Sequence, residues 1–208
     1  FYKKGSAVVG YDIFQRKPEP LHSLAASEDW NTLCRQYGFH CTITDAIYID
    51  AHDLPLVEQE VSSLLGYLDP AKPCGLRLKG SGLGFRGMKE EVLLIDYEPN
   101  LPMQTLHTLL MARLHPMGLG SLYTQRKKRN RGLYRRFPFM DQKVDRFFTP
   151  TGLDHYLPHF TLFNPVDLAQ EQKVTLLSAC QEYFKGSIPD ALTIDKVCLV
   201  VQTEENGP

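Results

Sequence analysis

The chain has 208 residues, of which 43% are hydrophobic and 23% are charged, and its formal net charge is -1. This mixture is typical of a globular protein, and it excludes both intrinsic disorder and a generally basic nucleic-acid coat. The length allows one large domain or two small lobes, and we expect a single bilobal domain over residues 1–208 with both ends cropped.

The cysteines indicate a reducing compartment. There are 5 of them, with no Cys-x-x-Cys spacing, which argues against a disulfide framework and a structural zinc site. Cys180 and Cys198 lie in apolar stretches and are expected to be buried. No apolar run approaches the roughly 18 residues that cross a bilayer. We therefore expect a cytoplasmic monomer that does not associate with membranes.

The first half of the chain predicts two strands and two helices. Residues 6–14 are rich in β-branched and aromatic residues, and residues 39–49 alternate with period two, so both are predicted strands. A helix is predicted over residues 27–36, ended by Gly38, and another over residues 53–68, where apolar residues follow helical spacing.

The second half predicts four strands, two helices and an irregular region. In chain order these are strands at 75–80 and 92–97 joined by a glycine-rich connection (GSGLGFRG) that forms a turn, a bulge or a flexible loop, a helix at 100–114, an irregular region at 116–155, a strand at 157–163, a helix at 167–184 and a strand at 192–202. Short links between several neighbouring strands favour an α+β fold with antiparallel sheets over a doubly wound parallel sheet.

One short pattern occurs twice. Residues 37–43 read Tyr-Gly-Phe-His-Cys-Thr-Ile and residues 156–162 read Tyr-Leu-Pro-His-Phe-Thr-Leu. Both segments are strand-like and both are followed by an amphipathic helix. Because residues two apart on a strand project from the same face, each segment presents an imidazole beside a hydroxyl. The candidate catalytic residues are His40, Thr42, His159 and Thr161.

Two such pairs facing one point suit reaction at phosphorus. A neutral imidazole can take the proton of the attacking group while an imidazolium protonates the leaving oxygen, since both forms exist near the ordinary histidine pKa of about 6.5. The threonine hydroxyls can donate hydrogen bonds to the non-bridging oxygens, where negative charge accumulates. The scheme requires neither a metal nor a cofactor.

The duplicated motif resembles that of the two-histidine phosphoesterase superfamily, which includes the RNA 2′,3′-cyclic phosphodiesterases, once called 2′-5′ RNA ligases. The stretches GSAVVGYDIF and YGFHCTIT are most similar to a poorly characterised branch associated with phosphonate metabolism. The resemblance implies two similar α+β lobes around a central cleft, each contributing one His-x-Thr strand. It also implies a metal-independent cyclic phosphodiesterase acting on a small cyclic phosphate, a nucleotide or RNA 3′ ends.

Other interpretations stay open. The same acid–base pair permits RNA-end ligation by microscopic reversibility, and an RNA- or nucleotide-binding module would keep the cleft with little turnover. Tyr37 and Tyr156 are candidate walls of a substrate groove. The basic run at 126–136 is either a solvated loop or a phosphate clamp. As a clamp it would use Arg135 and Arg136, with Tyr134 as a stacking surface.

Overall fold

The computed structural model describes residues 1–24, 30, 32–67, 75–87, 90–132, 134, 137–164 and 168–202. Within these ranges the helices are α1 (Tyr2–Val9), α2 (Thr32–Tyr37), α3 (Leu54–Tyr67), α4 (Leu101–Leu114), α5 (Leu122–Arg129), α6 (Pro138–Phe147) and α7 (Gln170–Phe184). The strands are β1 (Tyr11–Asp12), β2 (Lys17–Pro18), β3 (Arg77–Arg86), β4 (Val92–Pro99), β5 (His159–Phe163) and β6 (Ala191–Thr193). Short 3₁₀ turns occur at Ala51–Asp53, His115–Met117 and Leu153–His155.

The main sheet has four antiparallel strands in the order β5-β4-β3-β6, while β1 and β2 form a separate two-stranded ribbon. Asp96 of β4 pairs with His159 of β5 on one side and with Gly82 of β3 on the other. A register irregularity lies between Lys79 and Gly82. The predicted α+β class with antiparallel strands is confirmed.

The hydrophobic core packs against this sheet. Helix α7 contacts β3, α4 contacts β3 and β4, and α1 contacts β5. Buried core residues include Leu78, Leu93, Ile95, Tyr97, Met103, Leu106, Leu162, Phe163, Cys180 and Phe184. Burying each large apolar side chain contributes roughly 1.5–3 kcal/mol, so the sheet forms a firm base for residues on its strands. None of the described helices combines the length and apolar composition that crossing a membrane requires.

Several predicted elements are found at their predicted places. The Asn100 side chain caps α4 by accepting a hydrogen bond from the Met103 amide at 3.1 Å. Gly38 follows α2 with a left-handed φ of 66°, as expected for a glycine after a helix. Residues 54–67 form α3, although residues 51–53 form a 3₁₀ turn before it. Ser27, predicted to begin the helix before Gly38, lies outside the described residues.

The strand predicted at residues 6–14 is wrong over most of its length. The chain there forms α1, and only Tyr11–Asp12 is a strand. The buried face of α1 includes Gly5, Val8 and Val9, and a Cβ at Gly5 would lie 2.4 Å from the Phe39 ring. Close packing against that ring has overridden the local β propensity of the valines.

The strand predicted at residues 39–49 is reduced to two isolated antiparallel bridges, Cys41 with Phe160 and Tyr48 with Gly120. GSGLGFRG does not form the predicted turn, because most of it lies inside β3, but the register irregularity between Lys79 and Gly82 agrees with the predicted bulge. Small residues can continue a strand where another group must lie close to the backbone, and Gly82 and Gly84 have such neighbours.

Two further predictions need correction. The region at 116–155, predicted to be irregular, contains α5 and α6. The strand predicted at 192–202 is limited to β6, and residues 194–202 have no regular secondary structure. Cys180 is buried as predicted, whereas Cys198 is exposed because it lies in that irregular segment.

Candidate active site

The two His-x-Thr segments lie side by side. Cys41 and Phe160 form an antiparallel bridge, which sets His40 opposite Thr161 and Thr42 opposite His159. Phe39 and Phe160 stack on the core side with ring centroids 4.9 Å apart. Because side chains alternate along extended backbone, the two histidines and two threonines share the other face. The structure therefore brings together all four predicted catalytic residues.

The two imidazoles are diagonal neighbours in this arrangement. Diagonal positions of an antiparallel pair have Cα atoms about 7–8 Å apart, which leaves room for one tetrahedral group between the rings. The two rings also interact electrostatically, because the charge of His159 contributes to lowering the pKa of His40.

Both imidazoles are oriented by the same local hydrogen bond. Nδ1 of His40 lies 2.9 Å from the carbonyl oxygen of Gly38, and Nδ1 of His159 lies 2.7 Å from that of Leu157. A carbonyl oxygen can only accept, so each Nδ1 carries a hydrogen and donates it. In the neutral ring, Nε2 is therefore the atom available to accept a proton.

The Nε2 atoms have different surroundings. Nε2 of His40 lies 3.1 Å from Oγ1 of Thr42, so that hydroxyl donates to it. None of the described residues bonds Nε2 of His159. The pKa of His40 is lowered mainly because burial disfavours the imidazolium; the hydrogen bond to Gly38 opposes this effect, and the charge of His159 adds to it. Burial therefore favours the neutral form of the His40 ring.

Side chains from elsewhere in the chain hold the segment that follows His40. The Tyr156 hydroxyl donates to the carbonyl of Thr42 at 3.3 Å, and Nδ1 of His107 donates to that of Ile43 at 2.5 Å. The Thr44 hydroxyl lies 2.7 Å from Nε2 of His115. The first two bonds satisfy backbone carbonyls that a sheet partner would otherwise bind, and the third holds the Thr44 side chain, so the segment is fixed without being a regular strand.

The sequence pattern gives His107 and His115 no place in a catalytic constellation, yet both support the site. His107 is buried in α4 and His115 in the 3₁₀ turn that follows it, and burial is the main cause that lowers the pKa of each. Their separation of eight residues is close to two helical turns, and this spacing indicates that both side chains lie on the same face of a helix. No pattern in the chain pairs them with residues 43 and 44.

Tyr37 and Tyr156 both lie beside the motifs. Tyr37 is 38% exposed, and its ring centroid lies 6.0 Å from that of His40, in the position of a groove wall. Tyr156 stacks on His107 with centroids 4.0 Å apart and uses its hydroxyl on the Thr42 carbonyl. Tyr156 is therefore a link between the two motifs, because it belongs to one and bonds the other.

The predicted clamp is only partly described. Tyr134 is buried, with 5% of its surface exposed, and its ring has no open face for a base. Arg135 and Arg136 lie outside the described residues. The earlier part of the basic run is the last turn of α5, where Lys127 forms ion pairs with Asp141 and Asp145 of α6.

Among the described residues, one group of side chains could hold a metal ion. It consists of Asp50, His52 and Asp53 at the turn before α3. This group contains none of the four motif residues, and His52 is exposed there.

Comparisons with known proteins give this chain no relative. It matches no protein-family model, no curated protein and no solved structure. Inference about function therefore depends on the site itself.

Proposed function

We propose that the chain is a metal-independent phosphodiesterase that hydrolyses a 2′,3′-cyclic or related cyclic phosphate. The observation that supports this most is the bridge between Cys41 and Phe160, because it sets two imidazoles and two hydroxyls around one point on one face. A single buried histidine would have a structural explanation, but a duplicated array with matched Nδ1 hydrogen bonds favours acid–base chemistry.

The roles follow from the different environments of the two rings. His40 is held neutral by burial, so its Nε2 accepts the proton of the attacking water. The water oxygen forms a bond to phosphorus, and the bond from phosphorus to one ester oxygen of the ring breaks. His159 enters as the imidazolium and gives its Nε2 proton to that leaving oxygen, which yields an acyclic phosphomonoester.

The threonines stabilise the negative charge that develops on the non-bridging oxygens. In the free site the Thr42 hydroxyl donates to Nε2 of His40 at 3.1 Å. When substrate binds, that hydroxyl turns to a non-bridging oxygen, and Nε2 is released to accept the water proton. Thr161 occupies the equivalent place beside His159, so two donors meet the two non-bridging oxygens.

The bilobal arrangement is part of the same proposal. Each His-x-Thr segment would belong to one lobe, and the bridge between Cys41 and Phe160 would be where the lobes meet. The substrate would bind over the bridge, with Tyr37 forming one wall of the cleft.

Two alternatives use the same site. In the ligation of RNA ends, the hydroxyl of a second chain end would replace water as the group that attacks the cyclic phosphate, and the same acid–base pair would move the protons. A nucleotide-binding module would need the cleft but not both imidazoles, so the paired hydrogen bonds to Gly38 and Leu157 favour an enzyme over a module.

A substrate panel in the presence of EDTA tests the proposal. It should contain 2′,3′-cyclic nucleotides, RNA ending in a cyclic phosphate, and cyclic phosphosugars. We expect hydrolysis of at least one class, a rate unchanged by the chelator, and a bell-shaped dependence on pH. Activity lost in EDTA and restored by a divalent ion would contradict the proposed chemistry, and binding without turnover would favour the module.

A further inference from the structure

An arginine–aspartate pair lies beside the candidate active site on the same face of the sheet. Asp96 pairs directly with His159 across β4 and β5, and Gly82 pairs with Asp96 across β3 and β4. Directly paired residues project from the same face, and so do residues at even spacing along a strand. Arg86, four residues beyond Gly82 on β3, therefore shares the face of His159.

The glycines of β3 allow the arginine side chain to lie across its own strand. A Cβ added at Gly84 would lie 2.7 Å from Nη1 of Arg86, and one at Gly82 would lie 2.4 Å from Oδ1 of Asp96. A larger side chain at either position would displace the pair. The sequence GSGLGFRG thus provides a flat strand surface on which Arg86 reaches Asp96.

The ion pair leaves both hydrogen-bond donors and an acceptor without a partner among the described residues. Nε and Nη2 of Arg86 both contact Oδ2 of Asp96 at 2.8 Å, and Nη1 donates to the Phe85 carbonyl at 3.0 Å. A guanidinium has five N–H donors, so one hydrogen on Nη1 and one on Nη2 remain. None of the described residues donates to Oδ1 of Asp96, which leaves an acceptor beside these two donors.

The charge and the position of the Arg86–Asp96 pair limit the kind of ligand that it can bind. Asp96 offsets the charge of Arg86, so the pair attracts a second anion weakly. It is instead complementary to a neutral edge that carries an acceptor beside a donor, and the Watson–Crick edge of every unpaired nucleobase has this pattern. Neighbouring strands lie about 4.7–4.9 Å apart, so the backbone of β3, over which the guanidinium lies, is roughly 10 Å from that of β5, within the span of one nucleotide.

We propose that Arg86 and Asp96 form a nucleobase subsite and that the substrate is a nucleotide rather than a phosphosugar. The inference rests on the proposed function for the position of the reacting phosphate. With the phosphate over the His-x-Thr segments, the base lies over β4 and β3. The acceptor of the base accepts hydrogen bonds from the remaining N–H groups of Arg86, and the donor of the base donates to Oδ1 of Asp96.

The test compares substrates that differ only in the base. Hydrolysis of the four 2′,3′-cyclic nucleotides is measured beside 1-O-methylribose 2,3-cyclic phosphate, which lacks a base, and the 5-phosphorylated form of that sugar. The Arg86→Met variant should lower kcat/KM for the nucleotides about tenfold or more while changing the value for either sugar less than about twofold. Arg86→Lys should behave like Arg86→Met, because lysine keeps the ion pair but loses the planar fork.

The matched control is Arg113→Met. Arg113 is an exposed arginine whose Nη1 lies 3.9 Å from Glu60. Its replacement should leave kcat/KM unchanged for all the substrates. A uniform loss across all substrates in both Arg86 variants would show a structural ion pair and overturn the subsite. No loss would overturn it too, as would a loss confined to the 5-phosphorylated sugar, which would indicate an anion site.

Binding measurements separate failure of the subsite from failure of the proposed function. Calorimetry with adenosine 3′-monophosphate and with ribose 3-phosphate needs no turnover. Tighter binding of the nucleotide that depends on Arg86 would support the subsite even if no cyclic phosphate were hydrolysed. Hydrolysis with a base preference independent of Arg86 would overturn the subsite and leave the proposed chemistry intact.

Discussion

His40 and His159 carry the proton transfers in the proposed mechanism, whereas Thr42 and Thr161 each supply one hydrogen-bond donor. Replacing either histidine with alanine should lower turnover of a 2′,3′-cyclic nucleotide by roughly 10²-fold or more, the usual scale for a proton-transfer group. Thr42→Val and Thr161→Val should each cost less, because each removes one neutral donor and leaves both imidazoles in place.

His52→Ala is the control for these variants, since His52 is exposed on the turn before α3. Its turnover should equal that of the unmodified protein. Near-normal rates in both His40→Ala and His159→Ala would favour the binding module over the enzyme.

The buried histidines His107 and His115 predict acid sensitivity of the fold. Burial lowers the pKa of both, so the unfolded chain binds their protons more readily than the folded chain. Their contribution is present above the unfolded pKa of about 6.5 and is lost as pH falls below it. The free energy of unfolding should then decrease by up to about 1.4 kcal/mol per pH unit for each proton taken up.

Urea unfolding between pH 7 and pH 5 measures this slope. His107→Gln should be less stable at pH 7, because Nδ1 of His107 donates to Ile43 and its Nε2 accepts from the Leu153 amide at 2.8 Å. The same variant should show a shallower dependence on pH, and exposed His52→Gln should keep the original slope. An unchanged slope in His107→Gln would exclude this histidine as the source.

At the scale of elements, Tyr156 joins the strand β5 to the segment that carries Thr42. Tyr156→Phe keeps the ring that stacks on His107 but removes the hydroxyl that bonds the Thr42 carbonyl. We expect a loss of about 0.5–1.5 kcal/mol in the free energy of unfolding, together with a lower kcat caused by displacement of Thr42. Equal stability and equal kcat would show that the hydroxyl does not position this segment.

The basic residues of helix α5 allow a test of whether the protein binds long RNA. Lys127 is engaged by Asp141 and Asp145, while Arg126, Lys128 and Arg129 are exposed. A single-stranded RNA clamp would give a salt slope of roughly -0.7 for each phosphate contacted. For a small nucleotide we expect a shallow slope, unchanged in Arg126→Gln with Arg129→Gln. A steep slope abolished by this double variant would contradict the small-substrate interpretation.

Sequence periodicity predicted the elements whose local signals and burial agree. Helix α4 is an example, since its capping residue Asn100 and its buried apolar residues favour the same structure. It failed for α1, where valines favour a strand but contact with Phe39 requires a helix. It also failed for β3, because glycines typical of a turn serve here to let Arg86 cross the strand.

At the scale of the whole molecule, the residue types of the site could be predicted but their partners could not. The repeat in the chain identifies His40, Thr42, His159 and Thr161, yet no spacing predicts the bridge between Cys41 and Phe160. The groups that support the site come from distant segments, since His115 and Thr44 are 71 residues apart and Tyr156 and Thr42 are 114 apart. Such contacts depend on the topology of the whole chain, and local patterns carry no information about it.

The claim that both imidazoles contact one phosphate can be measured by nuclear magnetic resonance. The protein is labelled with ¹⁵N at histidine and titrated with adenosine 3′-monophosphate, while the ring nitrogens of His40, His159 and exposed His52 are followed. We predict that the Nε2 signals of His40 and His159 shift with one common half-saturation concentration and that those of His52 do not move. A shift at only one of the two rings, or two clearly different half-saturation concentrations, would contradict the two-histidine site.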